Sequence, residues 1–266
     1  MRIGIVSTSL GDVSLAETFK LAREAGAEGI EVMYGSDGLR DLTASDHAEQ
    51  LKALATGAKL EIPSLCLGFL LNKPSLLGTD KELTKAREGI RAAISVAAEV
   101  GVKTVLVPLF GNSSIELEEE IGHVVDAAGE LVADAEEADV VLGFESNLSF
   151  NRQRFLLDSF GSPARIKVYQ DTGNARARKL DLATGLRDLG GEALAGIHFK
   201  DVRVREGQPP NYDITMCDGD VDFRAVVQSL RAIGYDGWVV LETPPGSDPV
   251  DNAKNNIERA RSLVQE

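Results

Sequence analysis

Short runs of β-branched and aliphatic residues alternate with longer helix-forming stretches along the chain, and this alternation limits the possible folds more than any other feature. The runs are 2–7 (RIGIVS), 29–34 (GIEVMY), 61–68 (EIPSLCLG), 104–109 (TVLVPL), 140–146 (VVLGFES), 166–172 (IKVYQDT), 195–201 (AGIHFKD) and 237–243 (GWVVLET). Helical stretches follow them near 14–26, 44–58, 80–100, 115–137, 149–160, 179–189, 222–233 and 249–264. Strict βα alternation implies parallel strands joined by right-handed crossovers. Eight such units in 266 residues point to a closed (β/α)8 TIM barrel, with residues 1–266 forming a single domain. An open, doubly wound sheet fits less well, because of the strand count and because no GxGxxG follows the first strand.

Composition narrows the partners. Hydrophobic residues make up 43% and charged residues 26%, which is ordinary globular material. A formal net charge of −14 repels phosphate backbones and anionic lipid, so neither nucleic acid nor a membrane is an expected partner. No stretch approaches the roughly 20 apolar residues of a membrane span. The opening MRIGIVSTSL lacks the pattern of a signal peptide, and the expected location is cytoplasmic. Cys66 and Cys217 stand in no metal-like spacing, in keeping with a reduced setting.

Active sites of such barrels lie at the C-terminal ends of the strands. There the fifth to eighth strands end in or carry Glu145, Asp171, His198 and Glu242. Strand parity puts Val141, Gly143 and Glu145 on one face, Gly196, His198 and Lys200 on another, and Trp238, Val240 and Glu242 on a third. With the apolar neighbours turned to the surrounding helices, these site residues point inward. Three crowded carboxylates repel one another, and a divalent cation relieves that repulsion. Carboxylates with one neutral imidazole suit Mn²⁺, Mg²⁺ or Co²⁺ better than a thiolate-rich zinc site, although Zn²⁺ is compatible. Such an ion would polarise a ketose carbonyl and stabilise the enediolate left when the neighbouring carbon loses a proton. Glu145 and Glu242, from different strands, could remove and return that proton.

These residues resemble the xylose isomerase-like barrel superfamily, in its sugar-phosphate isomerase and epimerase branch. The ketose 3-epimerases and the L-ribulose- or hexulose-phosphate epimerases of that branch bind a metal through a Glu–Asp–His–Glu quartet on the last four strands. The resemblance implies that Glu145, Asp171, His198 and Glu242 are the metal ligands here. It also implies that Glu145 and Glu242 are the catalytic acid and base, and that the protein is a metal-dependent isomerase forming dimers or tetramers. DTGN, HFKD and CDGDVDF (217–223) also resemble the phosphate-sugar branch. Free-sugar epimerases of the group often carry a second histidine three residues after the aspartate, where this chain has Asn174.

Further candidates surround the quartet. Glu31 ends the second strand and could meet a substrate hydroxyl or a basic side chain. Asn147, Asn174, Lys200 and Arg203 are candidate substrate-binding residues, with turn formation or solvation as the ordinary alternative for each. Lys200 and Asp201 could also simply pair with each other. His47 and His123 are expected on solvated helix faces. The stretch 203–217 (RVREGQPPNYDITMC) matches no motif. Three functions stay open beside the epimerase or isomerase: a keto-inositol dehydratase, a hydroxypyruvate-type isomerase, and a barrel that binds carbohydrate without catalysis. An abasic-site endonuclease of this fold needs many histidines for its zinc ions, and the chain has three.

Overall fold

The computed structural model describes residues 1–161 and 164–265. The strands are β1 (Arg2–Val6), β2 (Gly29–Met33), β3 (Leu65–Cys66), β4 (Thr104–Leu109), β5 (Val141–Ser146), β6 (Ile166–Asp171), β7 (Leu194–Phe199) and β8 (Trp238–Leu241). They follow one another in a closed barrel in the order β1 to β8. All pairings recorded between them are parallel, and Arg2 to Ile5 of β1 pair with Trp238 to Leu241 of β8. The (β/α)8 expectation therefore holds.

The helices are α1 (Leu15–Glu24), α2 (Gly38–Leu42), α3 (His47–Ala58), α4 (Asp80–Val100), α5 (Glu119–Ala128), α6 (Glu130–Glu137), α7 (Phe150–Ser159), α8 (Thr172–Ala177), α9 (Leu182–Leu189), α10 (Phe223–Ala232) and α11 (Pro249–Gln265). Among the described residues, none is long and apolar enough to cross a membrane. Their starts are set by capping side chains. Ser14, Ser149, Asp181 and Asp222 each accept from a backbone N–H three residues on. Thr79 and Glu82 form a capping box at the start of α4.

Two differences from the expected elements have local causes. β3 is two residues long where 61–68 was expected. Pro63 has no N–H to donate to the ladder, so the start of that segment meets β2 only through an isolated Gly29–Glu61 bridge. The expected helix over 115–137 is two helices that meet at Gly129, the residue type that pays most in chain entropy inside a helix.

The chain divides into two compact units. The first comprises residues 1–31, 54–63 and 170–266, and the second 32–53 and 64–169. In the first unit, Trp238 lies against Gly29, where an added Cβ would stand 2.8 Å from the indole. The Arg2 guanidinium caps the same ring at 4.0 Å and pairs with Glu61. In the second unit every residue of β4 is buried, and Ile90, Ala93 and Ala97 of α4 are fully buried. His47 differs from expectation. It is 6% exposed, and its Nε2 lies 2.8 Å from the Tyr34 hydroxyl. Burial pushes the imidazole pKa down and the phenol pKa up, so both groups are neutral at ordinary pH. His123 is exposed, as expected.

Gly29→Val should lower the urea unfolding free energy by about 1–3 kcal/mol through overpacking against Trp238, whose fluorescence can follow the transition. Gly57→Ala, in an exposed turn of α3 with open space around it, should raise it by about 0.5–1 kcal/mol. A second expectation concerns Glu82, whose carboxyl is held down to about 2 by Lys73 and by the Thr79 backbone N–H. A lowered folded-state value stabilises above the ordinary value and is lost below it. The deficit of Glu82→Gln in thermal midpoint should therefore be full at neutral pH and shrink as pH falls from about 4.5 toward about 2.

Candidate metal centre

The strands of the first unit bring three of the expected ligands together. Asp171 is the last residue of β6, His198 lies on β7 beside Val240, and Glu242 follows β8 directly. His198 is 1% exposed, with its Nδ1 3.2 Å from Glu242 Oε2 and 3.9 Å from Asp171 Oδ2. Its Nε2 lies 3.0 Å from Oε1 of Glu31, which is fully buried. One imidazole thus spans two carboxylates on one side and a third on the other. Such an arrangement fixes the ring plane and leaves Nδ1 on the side of Asp171 and Glu242. Glu31 is therefore a partner of the histidine.

Asp171 serves twice. Its Oδ1 accepts from the Asn174 N–H at 2.5 Å and caps α8, while Oδ2 is the oxygen turned toward His198. One carboxylate thus caps a helix and faces the histidine. Lys200 donates to Glu242 Oε1 at 2.7 Å. Burial works against the Glu242 charge, but the His198 contact and the Lys200 ammonium outweigh it and hold the carboxyl well below the usual range. The direction of the lysine is set from behind. Thr172 Oγ1 donates to the Lys200 carbonyl at 2.8 Å and accepts from its N–H at 2.9 Å.

Asp201 is 2% exposed and accepts from the N–H groups of Val202, Gly219 and Val221. A Cβ on Gly219 would stand 2.2 Å from its Oδ1, so the glycine allows the carboxylate to reach the backbone. Asp218 accepts from Arg259, Asp220 from the Val204 N–H, and Asp222 caps α10. CDGDVDF is therefore scaffold for the loops after β7. Arg203 donates to the Asp218 carbonyl and pairs its backbone with Asn211 in both directions, at 2.8 and 3.0 Å. That pairing closes a hairpin whose tip, 205–210, is exposed. Tyr212 follows it and sets its ring over Lys200, with Nζ 5.2 Å from the centroid. Burial, then the Asp171 carboxylate, push its hydroxyl pKa up, so it remains a neutral donor. Tyr212 sits in the stretch that carried no motif. Asn174 lies on α8 and is partly buried.

In the second unit, Glu145 stands on β5 in register with Tyr169 and is 5% exposed. Asn147 follows that strand and is partly buried. In the first unit, one donor atom from each of Asp171, His198 and Glu242 lies within 4.8 Å of the others. Buried carboxylates with one imidazole make a hard, anionic donor set that fits a divalent cation.

Residues 19–263 match the model of a family described as the xylose isomerase-like TIM barrel. The chain belongs to that family. It is 31% identical over 213 residues to the 2-epi-5-epi-valiolone 7-phosphate 2-epimerase of an Actinoplanes species, covering 79% of this chain and 76% of the relative. It is 24% identical over 262 residues to an L-ribulose-5-phosphate 3-epimerase of Salmonella paratyphi B, covering 94% and 88%. A solved L-ribulose 3-epimerase shares the fold, with a TM-score of 0.82 at 19% identity over 99% of this chain and 94% of that one.

Mn²⁺ or Co²⁺ at a hundredfold excess over its dissociation constant should stabilise the protein by about 2.7 kcal/mol. Thermal unfolding with and without chelator checks this, and Asp171→Asn should lose most of the effect.

Proposed function

We propose that the protein is a metal-dependent sugar epimerase that moves a proton on a carbon next to a ketose carbonyl. The observation that carries this reading is the group of Asp171, His198 and Glu242 in the first unit, to which the reading adds Glu145 from the end of β5. The epimerases among its relatives support it. In this reading the four residues hold Mn²⁺, Mg²⁺ or Co²⁺, and residues 1–266 work as one domain. When bound, the ion supplies a Lewis acid that polarises the carbonyl and acidifies the neighbouring C–H bond.

The protein's own groups do the rest. Glu242, held ionised by His198 and Lys200, is a weak base suited to an acidified carbon acid. It takes the proton on one face, and Glu145 returns one on the other, so the carbon inverts. Glu31 is a positioning residue that orients His198. Lys200 favours the carboxylate form of Glu242 and so restores the base between turnovers, and Asn147 and Asn174 are the candidates for meeting substrate hydroxyls.

The test is deuterium wash-in. Mn²⁺-loaded protein in D2O should label one carbon next to the carbonyl of its ketose, and chelation should stop it. Glu242→Gln and Glu145→Gln should each lower exchange by about 10²–10⁴-fold with the fold intact. A fully active Glu242→Gln enzyme would sink the acid–base assignment. Loss of water in place of exchange would identify a dehydratase.

A further inference from the structure

The chain has four tyrosines. The hydroxyls of three have protein partners: that of Tyr34 lies beside His47, that of Tyr169 beside Ser64, and that of Tyr235 donates to the Trp238 carbonyl. The Tyr212 hydroxyl has no hydrogen-bond partner among the described residues, and the residue is only partly buried. A phenol that protein packs around usually finds a partner, so the exception calls for an explanation.

The surroundings of Tyr212 supply one. It lines a cavity of about 440 Å³ in the first unit, together with Lys200, Glu242, Pro244 and Pro245. Its ring stands over the Lys200 ammonium, with Nζ 5.2 Å from the centroid, and the same Nζ lies 2.7 Å from Glu242 Oε1. Only that ammonium separates the ring from the carboxylate that serves as base in the proposed reaction. Besides burial, the charges that act on the Tyr212 hydroxyl are those of Asp171, Lys200, Arg178 and Glu242. Asp171, Lys200 and Glu242 stand at the ends of β6, β7 and β8, so the hydroxyl is turned toward the strand ends. The buried Thr243 hydroxyl also lacks a partner, but it is closed off from solvent and offers a ligand no contact.

The position of the ring is built into the loop. The Arg203–Asn211 pairing sets the exit of the hairpin, and the Asp213 N–H bonds Asn211 Oδ1 at 2.9 Å just beyond it. Glu242 meets the reacting carbon, and Lys200 stands between that carboxylate and the ring. An oxygen within reach of the Tyr212 hydroxyl therefore belongs to a carbon further along the sugar.

We propose that Tyr212 is a substrate-contacting residue whose hydroxyl donates a hydrogen bond to a sugar oxygen beyond the reacting carbon, and that this bond helps to select the substrate. The proposal deepens the epimerase reading and rests on it for the identity of the reacting end. Alcohol and phosphate oxygens both accept from a phenol, and the experiment separates them.

Alditols and their terminal phosphates report the contact apart from the chemistry, because they have no carbonyl to enolise. Calorimetric titration of the Mn²⁺-loaded, full-length protein would use ribitol, arabinitol, xylitol and sorbitol and their terminal phosphates. Tyr212→Phe keeps the ring over Lys200 and removes only the hydroxyl. It should weaken the tightest-binding probe about three- to tenfold. It should leave the Mn²⁺ affinity and the thermal midpoint unchanged, since the hydroxyl bonds to nothing in the protein. A loss seen with the alditols puts the acceptor among the alcohol oxygens, and a loss seen only with the phosphates puts it on the phosphate. Full probe affinity in Tyr212→Phe, weaker Mn²⁺ binding or a lower thermal midpoint in that variant, or no binding of any probe by the unsubstituted protein would each overturn the proposal. The expected loss of probe binding, with no deuterium exchange on any ketose, would instead remove the epimerase reading and leave the Tyr212 contact standing.

Discussion

Buried negative charge governs this structure. Glu145, Asp171 and Glu242 lie at strand ends and Glu31 lies in the middle of β2, and Glu31, Glu145 and Asp171 are almost wholly out of solvent. Carboxylates so placed are costly unless paired. In the first unit the compensation comes from His198, set between Glu31 on one side and Asp171 and Glu242 on the other, and from Lys200 on Glu242. The arrangement of the nearby loops follows from the need to keep those two cationic or polarisable groups in place. A bound divalent ion would relieve the same repulsion, so stability and ligand affinity draw on one electrostatic source.

HFKD illustrates how four consecutive residues divide the work. His198 faces the carboxylates, Phe199 packs into the core against Phe223, Lys200 returns to the site, and Asp201 gathers backbone N–H groups from the following loop. Alternation along the strand sends odd and even residues to opposite faces. The same alternation lets one short segment serve core, site and loop. DTGN makes a comparable division, with Asp171 capping a helix while facing the histidine and Thr172 holding the Lys200 backbone.

The barrel was legible because apolar runs of strand length recur eight times with helical stretches between them, and that pattern admits few folds. The quartet was legible because an acid or a histidine in an apolar strand end needs a reason to be buried. Other features had no such signal. Pro63 shortened β3 through a missing donor, an effect that an apolar run conceals. His47 looked like a surface residue because its partner, Tyr34, sits 13 positions away, just past the end of β2. The acidic motif CDGDVDF resembled substrate machinery, yet its carboxylates bind backbone and Arg259, which depends on tertiary approach. Tyr212 and Thr243 fell outside any pattern. One lies in an irregular loop, and the other is an ordinary residue whose unusual property, a buried hydroxyl with no partner, exists only in three dimensions.

The hairpin after β7 is closed at its base by paired backbone bonds between Arg203 and Asn211, and behind that base by the Asp201 clamp. The bonds that tie its ends lie outside its tip, which carries its own turn bond from the Gln208 N–H to the Arg205 carbonyl. Lengthening a flexible loop whose ends are already tied adds little closure entropy, about 0.6 kcal/mol per doubling. The tip can therefore change in length and composition without disturbing the strand ends, while the residue just past its base stays beside the site. The hairpin is thus an exchangeable cassette. Drift within it would leave His198 and the carboxylates around it undisturbed.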